Sequence, residues 1–405
     1  MADSPSPTVL TDAEAPPIEN LRIRFYGVQG SGSVFPALAE REAVQELSDY
    51  RLLRSVFDDL ARHADEDGRL TCTLEEVLGG RPDKGTLLRY REAHRARDVR
   101  IYGGWTTSVH IETADGQDLV FDCGSGFRLC ALALQKKWAG LTDRHLHLFG
   151  SHSHADHTEG FDQAAVCFDP RNTLHIYGNA QFLRALDSGL GIFSRHVAED
   201  IRGLRTPIFY ALMPTRFEAT ELRDAQTELT ASTPYGRVHD ISEPIEIGDT
   251  RVTPFEVYHS APCFAYKVEH RGKVFVFCTD HELRRGDDPD DPRQQTSEAA
   301  EQRLRMHAQG AEVLYRDGQY LRAEYDGMKG IGTSAAVPRL DWGHSCIEDV
   351  EAMAVACGIR HTYIGHHDPN RPWTERNWID EGLDRNNGSR EPQVALSQAE
   401  MVIDL

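Results

Sequence analysis

No run of apolar residues in this 405-residue chain approaches the roughly 18 that a helix needs to cross a bilayer. The opening stretch, MADSPSPTVLTDAEAPPIEN, has neither the basic nor the apolar segment of a secretory leader. The expectation is a cytoplasmic protein with no membrane partner. Paired cysteines are missing as well: Cys72, Cys123, Cys130, Cys167, Cys263, Cys278, Cys346 and Cys357 form no CxxC motif and no short regular spacing, which argues against a disulfide framework or a zinc knuckle and for free thiols in a reducing compartment. Positive charge is scarce, with 44 Lys and Arg against 64 Asp and Glu and a formal net charge of -20. A protein that grips a long polyanion presents a basic stripe, so a long nucleic acid is disfavoured as partner. A small anionic substrate remains compatible, because bound divalent cations reverse the local field. The glycine-rich segment GVQGSGS has no helix directly after it and no nucleotide fingerprint at the required offset, which argues against a dinucleotide site.

What is present suits a layered α/β protein. Hydrophobic residues at 40% and charged residues at 27% leave material for a large core. The length fits one domain with embellishments. Residues 1–20, rich in Pro, Ser, Asp and Glu, read as a flexible N-terminal arm; residues 21–405 read as a single domain. Within it, residues 37 to about 98 carry helical periodicity and a charged stretch, as a helical insertion that could serve as a lid, a homodimer surface or a solvated embellishment. Strand signals occur in LRIRFYG, in SVHIETADGQDLVFD with Asp115-Gly116 as its hairpin turn, in HLHLFG and TLHIYG, in FEVYHSAPCFAYKVEHRGKVFVFCTD, and in AEVLYRD and HTYIG.

The decisive segment is HLHLFGSHSHADHTEG. Alternation places a buried strand at about 145–149, so His152, His154, Asp156 and His157 fall in the loop and turn just past its end. Imidazole and carboxylate are ligands of borderline divalent metals. Two-residue spacing turns His152 and His154 to one side of an extended loop. An HxHxDH pattern arises by chance in such a chain on the order of once in several hundred cases. Three later residues stand at corresponding positions: His259 after TPFEVY, Asp280 after KVFVFCT and His366 after HTYIG. Open α/β sheets gather ligands at the C-terminal ends of their strands. His367 is adjacent to His366, and the sequence leaves open which of the two faces the site. His344, in WGHSCIED, stands before a helix that Ser345 and Glu348 would open as a capping box.

With these residues in place the chain resembles the metallo-β-lactamase superfamily, whose HxHxDH, later His, later Asp and final His match all seven positions. It is most similar to the branch that holds tRNase Z and bacterial cyclic-nucleotide phosphodiesterase-like hydrolases, through RFYGVQGS, YGGWTTSVHIET, FDCGSG, HSHADHTEG, HSAPCFAYKVE, CTDHE, DGQY, WGHSC and GHHDP. The likeness spans residues 21–33 and about 100–370. Gln29 and Trp105 depart from it, where relatives carry Arg and Asn. The resemblance implies an αββα sandwich. It implies His152, His154 and His259 on one metal, Asp156, His157 and His366 on a second, and Asp280 bridging them, with Asp122 supporting the ligand loop. Two divalent cations follow, zinc first, with manganese or iron accepted by the same residues. They would activate a bridging hydroxide as nucleophile, and Asp156 and His344 are the expected catalytic side chains, His344 as proton donor or phosphate brace. Asp317 and Asp368 are candidates to orient these groups.

Three readings of function follow. A phosphodiesterase on a small phosphodiester or cyclic nucleotide is favoured by the GHS and HHDP motifs and the acidic charge. An RNA 3'-processing nuclease like tRNase Z would need a basic arm, for which only LLRYREAHRARDVR, at 87–100, is available. A hydrolase of a lactone, β-lactam or thioester is the third, since one ligand set serves both chemistries. A metal-binding sensor is disfavoured by the complete ligand set. Trp105, Phe264 and Tyr320 are expected in the pocket walls.

Overall fold

Leu21–Gly27 alternates apolar and polar residues, and in the computed structural model it forms a strand whose buried positions are Leu21, Ile23 and Phe25 onward. The structure describes residues 17–94, 102–204, 206–224, 233–388 and 393–405. The expected arm thus lies, through residue 16, outside the described residues, as does the second half of the basic cluster at 87–100.

The elements run β1 (Leu21–Gly27), α1 (Leu38–Arg62), α2 (Leu74–Leu78), α3 (Lys84–His94), β2 (Ser108–Thr113), β3 (Asp118–Phe121), α4 (Phe127–Lys137), β4 (Arg144–Phe149), β5 (Asn172–Gly178) and α5 (Ala180–Asp187). There follow β6 (Arg216–Arg223), β7 (Gly236–Asp240), β8 (Ile245–Ile247), β9 (Thr250–Val257), β10 (Cys263–His270), β11 (Lys273–Cys278) and α6 (Pro292–Ala308). The chain ends with β12 (Val313–Asp317), α7 (Arg322–Tyr325), α8 (Ile347–Cys357), β13 (His361–Gly365), α9 (Trp373–Asn387), β14 (Gln393–Leu396) and β15 (Val402–Asp404).

Two sheets organise the larger of two compact units, formed by the described parts of Met1–Phe35, Tyr102–Arg371 and Asp380–Leu405. One has the order β15-β1-β2-β3-β4-β5-β6-β7 and the other β14-β13-β12-β11-β10-β9-β8. Strands β3 to β7 pair in parallel, and so do β11 to β14, while the hairpin-linked strands pair antiparallel. The β2–β3 turn carries Gly116 at φ +83, and the β10–β11 turn is Arg271-Gly272 at φ +47 and +81, the left-handed pair that a two-residue hairpin with native twist requires.

Three apolar layers follow from the period-two alternation. Phe121, Phe149, Tyr266, Phe275, Phe277 and Tyr315 pack between the sheets. On the outer face of the first sheet, Leu146, Leu148, Leu174 and Ile176 meet Phe127, Leu134, Phe182 and Leu186 from α4 and α5. On the outer face of the second, Val276, Cys278 and Leu314 meet Leu304, Ala308 and Met353 from α6 and α8. The result is the αββα sandwich. Sequence patterning missed β6 to β8, β14 and β15, short or charge-rich strands toward the sheet edges. No described helix is long and apolar enough to cross a membrane.

The smaller unit comprises the described parts of Pro36–Ile101 with Pro372–Ile379. Its helices are α1 to α3 and the first turns of α9. Tyr90 donates to Asp59 at 2.6 Å and the Trp373 amide to Glu40 at 2.6 Å. Leu47 is the buried residue of α1, whereas Tyr50, Leu53 and Phe57 are exposed, so this unit has little core of its own.

On the same face of β4 as Phe149, the His147 ring stacks on His175 at 4.8 Å. Burial, reinforced by the imidazoles of His175 and His145, pushes the His147 pKa down to about 3. An unfolded chain, with an ordinary value near 6.5, therefore takes up a proton here that the folded chain refuses. This contribution to stability is complete above pH 6.5 and is lost as the pH falls from there toward 3. Urea unfolding between pH 6 and 4 should show a pH slope that is shallower in His147→Gln by up to about 1.4 kcal/mol per unit; equal slopes would contradict the assignment.

Candidate metal centre

The site is assembled at the C-terminal ends of β3, β4, β9, β11 and β13, where strands stop and the chain is free to turn. Several of these turns hold non-glycine residues in left-handed backbone: Ser31 at φ +56, Asp122 at +59 and His366 at +55. Such conformations cost about 1–3 kcal/mol each and persist where surroundings enforce them. Each aims a group at one place. The Ser31 amide donates to Asp156 Oδ2 at 2.7 Å. Asp122 accepts from the Ser151 amide at 2.7 Å, from Ser151 Oγ at 2.8 Å and from His157 Nδ1 at 2.7 Å, which fixes the loop that carries HSHADH. Ala155–His157 closes that loop as a single 3-10 turn.

His152, His154, His259 and Asp280 come together in one group, and Asp156, His157 and His366 in another. Asp280 divides its oxygens between them. Its Oδ2 lies 3.5 Å from both His152 Nε2 and His259 Nε2, and His259 Nε2 is 3.2 Å from His154 Nδ1. Its Oδ1 lies 3.3 Å from His157 Nε2 and 3.1 Å from His366 Nε2, and Asp156 Oδ2 lies 3.3 and 3.1 Å from the same two nitrogens. Tetrahedral ligands at zinc–nitrogen distances of about 2.0–2.1 Å stand roughly 3.3–3.4 Å apart, which is the spacing of these atoms. The donor set therefore fits two metal ions, one on each side of Asp280.

The outer nitrogens are engaged in a way that turns the inner ones toward such ions. His152 Nδ1 pairs with Ser151 Oγ at 3.0 Å, His157 Nδ1 with Asp122, His259 Nδ1 with the Gly343 carbonyl at 2.9 Å and His366 Nδ1 with Gln319 Oε1 at 3.0 Å. The Nε2 atoms of His152 and His157 are buried without any hydrogen-bond partner, a costly state that a bound cation would relieve. Burial drives His152 well below the usual imidazole range and His259 to about 4, so both offer lone pairs. Burial opposes ionisation of Asp280, yet His366, His157 and His152 hold it well below the carboxylate range. His157 is pushed up instead: burial works against its protonation, but Asp156, Asp280 and Asp122 prevail.

Residues singled out in the sequence fall into place unevenly. His366 faces the site, whereas His367 turns away, its Nε2 bonded to the Ser397 carbonyl at 2.9 Å; the left-handed backbone at His366 puts the two rings on opposite sides. His344 reaches the same cluster as Asp280 and His366. Its Nδ1 is 2.9 Å from Asp317 Oδ2, and although burial opposes the charge, Asp317 pushes its pKa up to about 9. Asp368 acts on His366 at one remove: Gln319 Nε2 donates to Asp368 at 2.9 Å. Gln319 was missed, since an uncharged amide in DGQY gives no signal of its own. The capping box does not form. The helix starts at Ile347 without a side-chain cap; Ser345 Oγ instead donates to the His281 carbonyl at 2.5 Å and Glu348 accepts from the Arg322 amide at 3.0 Å. Gln29 is buried and donates to the His367 carbonyl.

A pocket of about 310 Å³ opens over the centre, with His154, Asp156, His259, Asp280 and His344 at its floor. Tyr320 lines it as expected. Phe264 does not, being part of the apolar layer between the sheets, and Trp105 lines a separate cavity with Ser33 and Glu159.

No protein-family model and no curated protein sequence matches this chain. Among solved structures it is similar to Zn(2+)-bound PqqB from Methylobacterium extorquens, at TM-score 0.50 and 12% identity over 95% of this chain and 100% of that one. The metallo-β-lactamase fold protein YhfI from Bacillus subtilis gives 0.47 and 12%, over 95% and 100%. A diphosphatase from the PhnP family gives 0.47 and 15%, over 95% and 98%. Identities at this level carry the fold, and the fold of this chain is that of the metallo-β-lactamases.

Two glycines test the two halves separately. A Cβ at Gly30 would overlap the His366 ring, and one at Gly343, which also sits at φ +91, would overlap His259. Plasma mass spectrometry of purified, dialysed protein should find two metal ions per chain in the wild type and a loss of about one in each of Gly30→Ala and Gly343→Ala, with the open-surface variant Gly140→Ala unchanged. Full loading in both site variants would contradict the two-ion geometry.

Proposed function

We propose that this chain is a metal-dependent hydrolase with a dinuclear site that cleaves a small phosphodiester, such as a cyclic nucleotide. The observation that carries this reading is the division of the Asp280 carboxylate between two triads of donors. His152, His154 and His259 would hold one cation, and Asp156, His157 and His366 the other, with Asp280 between them; zinc suits the imidazole-rich set, and manganese or iron would be accepted. Two such cations supply positive charge that acidifies water and stabilises both oxygens of an in-line displacement.

The side chains around them do the remaining work. Asp317 occupies His344 Nδ1 at 2.9 Å, so the proton available to the pocket is the one on Nε2, beside His366 and Asp280. A proton held there suits delivery to a leaving oxygen. Asp156, fixed by the Ser31 amide, orients the second group of donors and offsets its charge. A pocket of about 310 Å³ accommodates a small molecule, and the net charge of -20 disfavours a long nucleic acid.

The test is hydrolysis of bis-p-nitrophenyl phosphate and of 2',3' and 3',5' cyclic nucleotides, alongside nitrocefin and a lactone panel, with metal content measured on the same samples. Phosphodiester turnover that chelator abolishes is expected. His344→Gln should lower kcat by about 100-fold or more with both metals retained, and Asp317→Asn by less. Turnover confined to nitrocefin or lactones would overturn the phosphodiesterase reading, and an undiminished kcat in His344→Gln would remove its role as proton donor.

A further inference from the structure

One wall of the pocket over the metal centre carries a cation that the metal chemistry does not use. Arg339 lines that pocket and is only 7% exposed. Its guanidinium lies 4.2 Å from the centroid of the Trp342 ring and 5.7 Å from that of Tyr320. Among the described residues it forms no hydrogen bond and no ion pair, and Tyr320, fully buried beside it, has a hydroxyl without a partner. Aromatic rings satisfy the faces of a guanidinium and leave its N–H edge unspent. That edge is available to an anion in the pocket that Arg339 lines.

The wall is built to hold this geometry. The Arg339 amide donates to the Tyr325 carbonyl at 2.8 Å and the Trp342 amide to the Arg339 carbonyl at 3.0 Å, closing a tight turn. Within it Asp341 adopts φ +68. The buried Glu282 carboxylate accepts from the Asp341 and Gly343 amides at 2.9 and 2.8 Å. The Asp341 carboxylate, the nearest acid in sequence, is taken up by Arg284 at 2.5 Å and Arg293 at 2.9 Å, so it does not neutralise Arg339. From the centre, the ring of His366 stacks on His344 at 4.6 Å, and Tyr320 meets His344 at 5.9 Å. Arg339 thus stands two rings away from the donors, at a fixed offset from the point where a scissile group would bind.

We propose that Arg339 is a recognition residue for a second anionic group of the substrate, a phosphate or a carboxylate, bound apart from the group held at the metal centre. The preferred substrate then carries two acidic groups. The proposal rests on the phosphodiesterase reading only for the nature of the first group.

Calorimetric titration of the metal-loaded protein with non-hydrolysable ligands tests it independently of turnover. Methylphosphonate supplies one anion. Ethylene-, propylene- and butylene-bisphosphonates add a second phosphonate at increasing reach, and 3-phosphonopropionate adds a carboxylate. In the wild type the best two-anion ligand should bind about 10- to 100-fold tighter than methylphosphonate, the range of a charge-assisted bidentate pair. Whether a bisphosphonate or 3-phosphonopropionate gains more identifies the second group. Arg339→Gln should bring the ratio within about threefold and leave methylphosphonate affinity and metal content unchanged. Arg339→Lys, which keeps the charge without the planar fork, should fall between them and serves if the Gln variant folds poorly. No two-anion preference in the wild type, or a preference that survives both substitutions, overturns the proposal. Loss of the preference in a protein that does not hydrolyse phosphodiesters would leave this subsite standing and remove the reaction assigned above.

Discussion

Two buried carboxylates, Asp280 and Asp156, face imidazoles, with no Arg or Lys among the described residues paired to either. Carboxylates crowded together in a protein interior are costly to hold unless positive charge compensates them. Here their oxygens and the surrounding ring nitrogens converge at 3.1–3.5 Å, and two ring nitrogens are left without any partner. A cation at the centre of each group would resolve both problems at once, and the groups behind the donors hold them in place for it.

The scaffold keeps the donors apart from collapse. Asp280 stands two residues past the buried strand β11, whose Phe275 and Phe277 pack between the sheets while Val276 and Cys278 pack against the outer helices, so its position is set by both faces of a sheet. The histidines are oriented from behind by Ser151, Asp122, the Gly343 carbonyl and Gln319. Glu282, two residues past Asp280, fixes the turn that carries Arg339, Trp342 and His344. One strand end thus positions the donors and, through Glu282, the wall opposite them.

Much of this was legible in the sequence because it depends on local pattern. Each of the seven donors follows a run of alternating or continuous apolar residues, and a strand end predicts where such side chains gather. The β2–β3 hairpin announced itself through Asp115-Gly116. What was not legible depends on tertiary contact or on one dihedral. Gln319 and Glu282 are ordinary polar residues until folding brings them to His366 and to the Asp341 turn. The choice between His366 and His367 is made by a φ of +55, which adjacent identical residues cannot reveal. Ser345 and Glu348 have the spacing of a capping box, but stronger partners at His281 and Arg322 take them. Arg339 gives no sign in sequence that its guanidinium will be held between two rings and left without an acid.

The central claim is that two metal ions share Asp280. Anomalous diffraction from a crystal of the protein as purified, recorded above and below the absorption edge of the metal found in it, addresses this most directly. The account predicts two peaks about 3.5–4 Å apart, one among His152, His154 and His259 and the other among Asp156, His157 and His366, with the Asp280 carboxylate between them. A single peak, or none at these side chains in protein that retains its activity, would contradict it.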